Sequence, residues 1–251
     1  MIERAPPRIF SSGRRQVVAH RARELQAVAG ELPFLFEHMA DEIVDRLDFV
    51  QHGPAKPLFI GHSTPFLLDR LKLAPADAPP PPVGFDEEAP YPGGNFDFIA
   101  SMASLDTLND LPGALIHMHR ALAPGGLAIA TFIGAPSLPN LRRAMLAADG
   151  ERPAARMHPL VDVRAAAELI QRAGWHSPVV DSHTLRVSYA SLDRLVADLR
   201  LHGLTSVLQS KAPPVTRIGL DRARAAFLET AGDDGRVIET FEILTLSGWR
   251  K

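Results

Sequence analysis

The sequence predicts an α/β fold built on a mainly parallel sheet with helices on its faces. Three observations carry this. Apolar strand-like stretches alternate with segments of helical periodicity along the 251 residues, the arrangement a parallel sheet needs because each return crossover is a helix. Phe96-Asp97-Phe98-Ile99-Ala100 and Leu127 to Phe132 read as short apolar strands on either side of one helical segment. That segment is punctuated at both ends. Asn109-Asp110-Leu111-Pro112 opens it, with proline where a missing N–H is harmless, and Pro124-Gly125-Gly126 stops it.

Each further element follows from its own pattern. Residues 11–30 form a basic helix in which Arg14, Arg15, His20, Arg21 and Arg23 precede Leu25 and Val28; this is either a solvated helix face or a docking arm for an acidic partner. Leu35, Met39, Ile43 and Leu47 recur every four residues, as on one buried helix face, and Gly53-Pro54 ends that helix. Lys56 to Ile60 reads as a strand and Phe66 to Leu73 as a short helix. Pro79 to Pro82 lack four successive N–H groups, so this stretch is an extended connector, and Val83 to Asn95 is loop.

In the second half, Leu111, Leu115, Met118 and Leu122 form one apolar helix face, and Leu138, Leu141, Met145 and Leu146 another. Asp162 and Ser191 are N-caps for helices that run to Gly174 and Gly203. Val179-Val180 and Leu185-Arg186-Val187 suggest strand, a helix lies near 219–231, and Arg236 to Trp249 alternates as a long strand. The division expected is an N-terminal helical arm over 1–55 and an α/β domain over 56–251.

Composition narrows the function classes. A net charge of −2 supplies no global field for nucleic acid or anionic lipid. The absence of cysteine excludes disulfides, thiolate metal sites and a cysteine nucleophile. No apolar run reaches the roughly 18 residues of a membrane span, and Met1 to Pro7 has no apolar signal core. The expectation is a cytoplasmic protein without a membrane span. No Gly-x-Ser-x-Gly elbow and no phosphate-binding lysine loop are present. His117 and His119 point to different helix faces. His158, Asp162 and His183 could cluster, but no His-x-x-x-His pair exists, so no metal site and no catalytic residue are assigned.

A family resemblance rests on the order of several short motifs. They are Arg8-Ile9-Phe10 before the basic helix, Asp86-Glu87-Glu88 before Phe96-Asp97, and Asn109-Asp110-Leu111-Pro112. Leu122-Ala123-Pro124-Gly125-Gly126, Ser137-Leu138-Pro139-Asn140-Leu141, Gln171-Arg172-Ala173-Gly174-Trp175 and Gly248-Trp249-Arg250 complete the series. In this order they resemble class I S-adenosylmethionine-dependent methyltransferases over nearly the whole chain. Within that superfamily they look most like two groups. One is the malonyl-acyl-carrier-protein methyltransferase of biotin synthesis, and the other is the complex I assembly factor that hydroxylates an arginine. The resemblance implies a Rossmann-like class I methyltransferase fold.

Two departures from the family pattern matter. The family's first strand ends in an acidic residue and a Gly-x-Gly turn that closes on the cofactor. Here Phe59 stands at the acidic position, and Gly61 is followed by His62-Ser63-Thr64-Pro65. Glycine permits backbone angles and close approaches that proline and β-branched residues do not. The second departure is length. Gly61 and Phe96 are only 35 steps apart. The family's two helices, two strands and further crossover do not fit, with helices of about 11 residues and strands of about 5. The sheet is therefore expected to be truncated by about one strand on the side of residues 61–95, with added helices elsewhere. No ribose-binding acid remains, since Asp77 lies between prolines and follows no strand.

If S-adenosylmethionine binds, the resemblance places Gly61 and Ser63 at its methionine end, Asp86 and Glu87 at its adenine, and Ser101 in the pocket wall beyond the strand ends. Asp86-Glu87-Glu88 reads equally as a solvated acidic loop. Asp106 and Thr107 replace a His-Trp pair often found in the assembly-factor group. The function expected is that of a methyltransferase-fold protein with a degenerate cofactor motif, acting by binding a protein partner such as a complex I subunit, in complex I assembly or maturation. The alternative is an active S-adenosylmethionine-dependent methyltransferase or hydroxylase-like relative with a divergent cofactor loop. A third reading is a binder of another small molecule.

Overall fold

A computed structural model describes residues 8–29, 33–82 and 84–251, without the side chains of Ser63 and Pro65. In chain order the elements begin with α1 (Ser12–Ala29), α2 (Phe34–Val50), β1 (Pro57–Gly61), α3 (Ser63–Arg70) and β2 (Phe96–Met102). A 3₁₀ turn (Leu105–Thr107), α4 (Leu111–Ala121), β3 (Leu122–Gly134) and α5 (Pro139–Asp149) follow. The chain continues through α6 (Val163–Arg172), β4 (His176–Tyr189), α7 (Leu192–Leu201), α8 (Arg217–Leu228) and β5 (Val237–Trp249). No helix among the described residues is long and apolar enough to cross a membrane.

The chain forms two compact units, each assembled from separate segments. One comprises the described residues of Leu32–Ser137, Leu160–Leu185 and Phe241–Lys251 and carries most of the sheet. The strand order is β1-β2-β3-β5-β4. β1 pairs parallel with β2, β2 parallel with β3, and β3 antiparallel with β5. Among the described residues the sheet has five strands, two fewer than a complete seven-stranded methyltransferase sheet, where the short interval predicts a loss of about one. The reason lies in residues 62–95. α3 takes 63–70, and the proline-bearing segment after it supplies neither ladder donors nor room for a crossover. Both missing strands would have stood beyond β1, which is left at the sheet's edge.

α2 packs against β2 and β3 with Leu35, Met39, Ile43 and Leu47 all buried, as their spacing requires. Each such side chain contributes about 1.5–3 kcal/mol by leaving water. Leu111, Leu115 and Met118 of α4 join Ile99, Ala128, Phe132 and Leu244 in the main core of this unit. The Asp110 side chain caps α4 by accepting from Gly113 N–H at 2.8 Å, and Asp162 caps α6 through Ala165 N–H at 2.8 Å.

The other unit comprises the described residues of Met1–Glu31, with Leu138–Pro159 and Arg186–Thr240, and contains α1, α5, α7 and α8. Leu192, Leu195 and Leu199 of α7 are buried, so that face is packing surface and not a free partner face. On α5 the buried residues are Leu141, Ala144 and Ala148, while Leu146 is exposed. The apolar face of α5 thus runs through the alanines and not through Leu146. Arg222 of α8 donates to the carbonyls of Ala147 (2.9 Å) and Ala148 (2.6 Å), satisfying the open end of α5.

The basic helix α1 is fastened to its own chain. Phe10 bridges to Leu208, Ser11 N–H donates to Val207 O at 2.9 Å, and Gln209 N–H donates to Ile9 O at 2.7 Å. Arg14 donates to the Leu208 carbonyl at 2.7 Å, and Gln26 to Leu201 O at 2.7 Å. Arg21 and Arg23 stay on the exposed side.

Candidate functional site

In an open α/β sheet the ligand site lies beyond the carboxyl ends of the parallel strands. Here those ends are Gly61 on β1 and Met102 on β2, paired in register. Gly61 has φ of +72°, in the left-handed region that glycine enters without strain. A Cβ at Gly61 would fall far inside contact distance of the Met102 carbonyl oxygen, 3.0 Å from Ser104 Cβ and 3.1 Å from Ser104 Oγ. His62 N–H donates to the same Met102 carbonyl at 2.9 Å. The close approach that Gly61 permits is therefore spent on β2. The His62 ring stacks on the buried Phe36 ring of α2, with centroids 4.4 Å apart.

Ser101 lies at this same strand end and is fully buried, with its hydroxyl 3.0 Å from that of Ser104. The structure thus brings Gly61 and Ser101 together through Ser104, a residue that sequence reasoning missed because a lone serine after a strand carries no pattern. Ser63 begins α3, and its side chain lies outside the described residues.

The acidic triplet stands on a separate turn. Asp86 is exposed and accepts from Glu88 N–H at 3.0 Å, a local Asx turn. Glu88 reaches forward and accepts from the backbone N–H groups of Asn109 and Asp110 just ahead of α4. One of the three carboxylates is therefore a brace for the loop before α4 and not a solvated group. Burial raises the pKa of the Tyr91 hydroxyl, and the nearby Glu87 carboxylate adds to the rise, so the phenol stays protonated.

The histidines do not gather as the sequence allowed. His158 lies in the helical unit, where its Nε2 accepts from Val207 N–H at 2.9 Å and its ring meets Phe10 edge-on at 5.3 Å. Burial lowers its pKa to about 4, and the accepted hydrogen bond requires the neutral ring. Asp162 is a helix cap, and His183 lies beside His38, ring centroids 4.7 Å apart.

Several resemblance motifs turn out to be structural fastenings. Ser137 Oγ donates to Gly134 O at 2.6 Å and accepts from Glu242 N–H at 2.8 Å. The buried Glu239 carboxylate accepts from the N–H groups of Leu141 (2.8 Å), Thr240 (3.1 Å) and Asn140 (3.3 Å), holding the start of α5. Trp175 Nε1 donates to Leu115 O at 3.1 Å. Arg250 donates to the carbonyls of Arg120 (2.7 Å) and Leu122, and its backbone pairs with Gly125 and Gly126.

A family described as a methyltransferase domain matches residues 66–177. The chain is 30% identical over 219 residues to arginine-hydroxylase NDUFAF5, mitochondrial, of Danio rerio, covering 85% of this chain and 64% of that protein. The human NDUFAF5 is 31% identical over 170 residues, 66% of this chain and 49% of that protein. The chain thus spans about half to two thirds of these relatives. It is 30% identical over 250 residues to malonyl-[acyl-carrier protein] O-methyltransferase of Halorhodospira halophila, covering 87% of this chain and 82% of that protein. Among solved structures, the YcgJ protein of Bacillus subtilis aligns with a TM-score of 0.49 at 10% identity, over 85% of this chain and 99% of that one. With 82% of the Halorhodospira enzyme's length matched at 30% identity, the chain belongs to the class I S-adenosylmethionine-dependent methyltransferase superfamily.

Proposed function

We propose that this protein uses the methyltransferase fold as a binding scaffold and acts on a protein partner in complex I assembly or maturation, not by methyl transfer. The observation that carries the reading is the turn after β1. A side chain at Gly61 would clash with the Met102 carbonyl and crowd Ser104, so packing onto β2 accounts for this glycine, and His62-Ser63-Thr64-Pro65 follows it in place of further glycines. The chain between Gly61 and β2 supplies no strand among the described residues to present an acid to the ribose. The residues present therefore do not fit S-adenosylmethionine well, and no reaction step is drawn through it. The partner class, a complex I subunit, is taken from the similarity to NDUFAF5.

The alternative is an S-adenosylmethionine-dependent enzyme, favoured by the extent of the match to an O-methyltransferase. Deletion of the gene in its native host separates the two. The binding reading expects less assembled complex I in the deletion strain. It expects restoration by the wild-type chain and equally by a double variant, Asp86→Asn with Glu87→Gln, that removes the remaining adenine-side acids. Normal complex I in the deletion strain, or rescue lost in the double variant at equal expression, would count against it.

A further inference from the structure

We infer that His38 and Glu42 of α2 together with His183 of β4 form a binding site for a divalent transition metal of the zinc class. This goes beyond the partner-binding reading and does not depend on it. One ligand atom from each of the three side chains lies within 4.8 Å of the others. His38 and Glu42 are one helical turn apart, so they share a face of α2. The His38 Nε2 atom is 3.9 Å from the Glu42 carboxylate. That nitrogen is buried and makes no hydrogen bond among the described residues. A buried imidazole nitrogen without a partner is costly unless something occupies its lone pair or takes its proton.

The third ligand distinguishes this place from an ordinary surface pair. His20 and Glu24 on α1 are also four residues apart, at 3.3 Å, but both are about two-thirds exposed. No third metal-binding side chain joins them among the described residues. At His38 the approach of β4 supplies His183, and the register of that approach is fixed nearby. Arg46, a further turn along the same stripe of α2, forms an ion pair with Asp181, two residues before His183 on the same face of the strand. Arg46 also donates to Ser247 Oγ at 3.3 Å. The helix and strand are therefore held together before any metal arrives, and Arg46 is already paired with a carboxylate.

Two imidazoles and one carboxylate match zinc and its neighbours, with at least one coordination position left to water. Bonds of about 2.0–2.1 Å in tetrahedral geometry set ligand atoms roughly 3.3 Å apart. The closure needed falls to Glu42, which is half-buried, and His183, which is exposed. Rotation of these two side chains supplies it without moving the helix.

The test uses the full chain, stripped with a chelator and titrated with zinc chloride by calorimetry, and with cobalt chloride by visible absorption. One zinc per chain and a cobalt ligand-field band are expected. His183→Ala and Glu42→Gln should each weaken zinc binding at least about 100-fold, beyond the range seen for loss of supporting partners. His20→Ala should leave it unchanged. His183 is exposed and Glu42→Gln keeps shape, so both variants should retain the wild-type circular dichroism; that spectrum checks that loss of metal is not loss of fold. No stoichiometric zinc binding, or binding unchanged in both His183→Ala and Glu42→Gln, would overturn the assignment.

Discussion

Gly61→Ala is expected to destabilise the protein substantially, with or without any ligand. The new methyl group meets two separate penalties. At φ of +72° an L-residue is in the left-handed region, which costs roughly 1–2 kcal/mol. The Cβ must also displace the Met102 carbonyl or the Ser104 side chain. Overpacking of this kind costs about 1–3 kcal/mol, and backbone cannot rotate away as a flexible side chain can. Together the loss is about 2–5 kcal/mol. A chain of this size loses roughly 2–4 °C of melting temperature per kcal/mol, so the midpoint should fall by about 4–20 °C. Thermal unfolding of the ligand-free protein, followed by circular dichroism, reads this directly. Ser104→Gly in the same background should recover only part of it, because the Met102 carbonyl stays. If Gly61→Ala melts within about 2 °C of wild type, the turn is not closed onto β2. The space beside Gly61 would then be open, and the argument against a cofactor there would lose its footing.

Other perturbations test the fastenings. Glu239→Ala removes the carboxylate that receives three backbone N–H groups at the start of α5, and should cost about 2–4 kcal/mol in urea unfolding. Burial raises the Glu239 pKa while its backbone donors pull the other way, so Glu239→Gln, which keeps an acceptor without burying charge, should lose less. Asp149 and Arg156 form a part-buried pair at 2.5 Å, and Asp149→Ala should cost about 1.5–3 kcal/mol by removing charge-assisted hydrogen bonds to the guanidinium. The hydrogen bond from Arg156 holds the Asp149 carboxyl below the usual carboxylate range. Its stabilising contribution is therefore complete above that range and is lost as pH falls through the lowered folded-state value. Urea midpoints measured from neutral pH down into the acid range should show this decline in wild type and a shallower one in Asp149→Ala.

Local signals carried most of the fold. Asp162, Ser191 and Asp110-Leu111-Pro112 marked helix starts because capping is settled within three residues of chain. The stripe at Leu35, Met39, Ile43 and Leu47 announced a buried face because α2 meets the sheet along one side. Non-local pairing was harder to read. The run from His176 to Tyr189 is one strand although most of its residues are exposed, so its apolar pattern shows only at Val179-Val180 and Leu185-Val187. The tie of α1 to residues 207–209 depends on contacts nearly two hundred residues apart.

The candidate site was legible only in part. The departure at Gly61 could be seen from the missing glycines. What fills the space could not, because Ser104 and the Met102 carbonyl have no signature in a linear sequence. His38 and Glu42 make no His-x-x-x-His pair, because the second ligand is a carboxylate. The third ligand is supplied by a strand more than a hundred residues away.

The central claim is that the turn after β1 no longer serves S-adenosylmethionine. Calorimetric titration of the purified full chain with S-adenosylmethionine tests it most directly. With the glycine turn closed onto β2 and no ribose-binding acid, the site lacks at least one charge-assisted hydrogen bond, worth roughly 1.5–3 kcal/mol or about one to two decades of affinity. No saturable heat is expected at ligand concentrations up to about 1 mM, some three decades above a typical micromolar site. A one-to-one isotherm with a dissociation constant in the low micromolar range would contradict it and return the protein to the working enzymes of its superfamily.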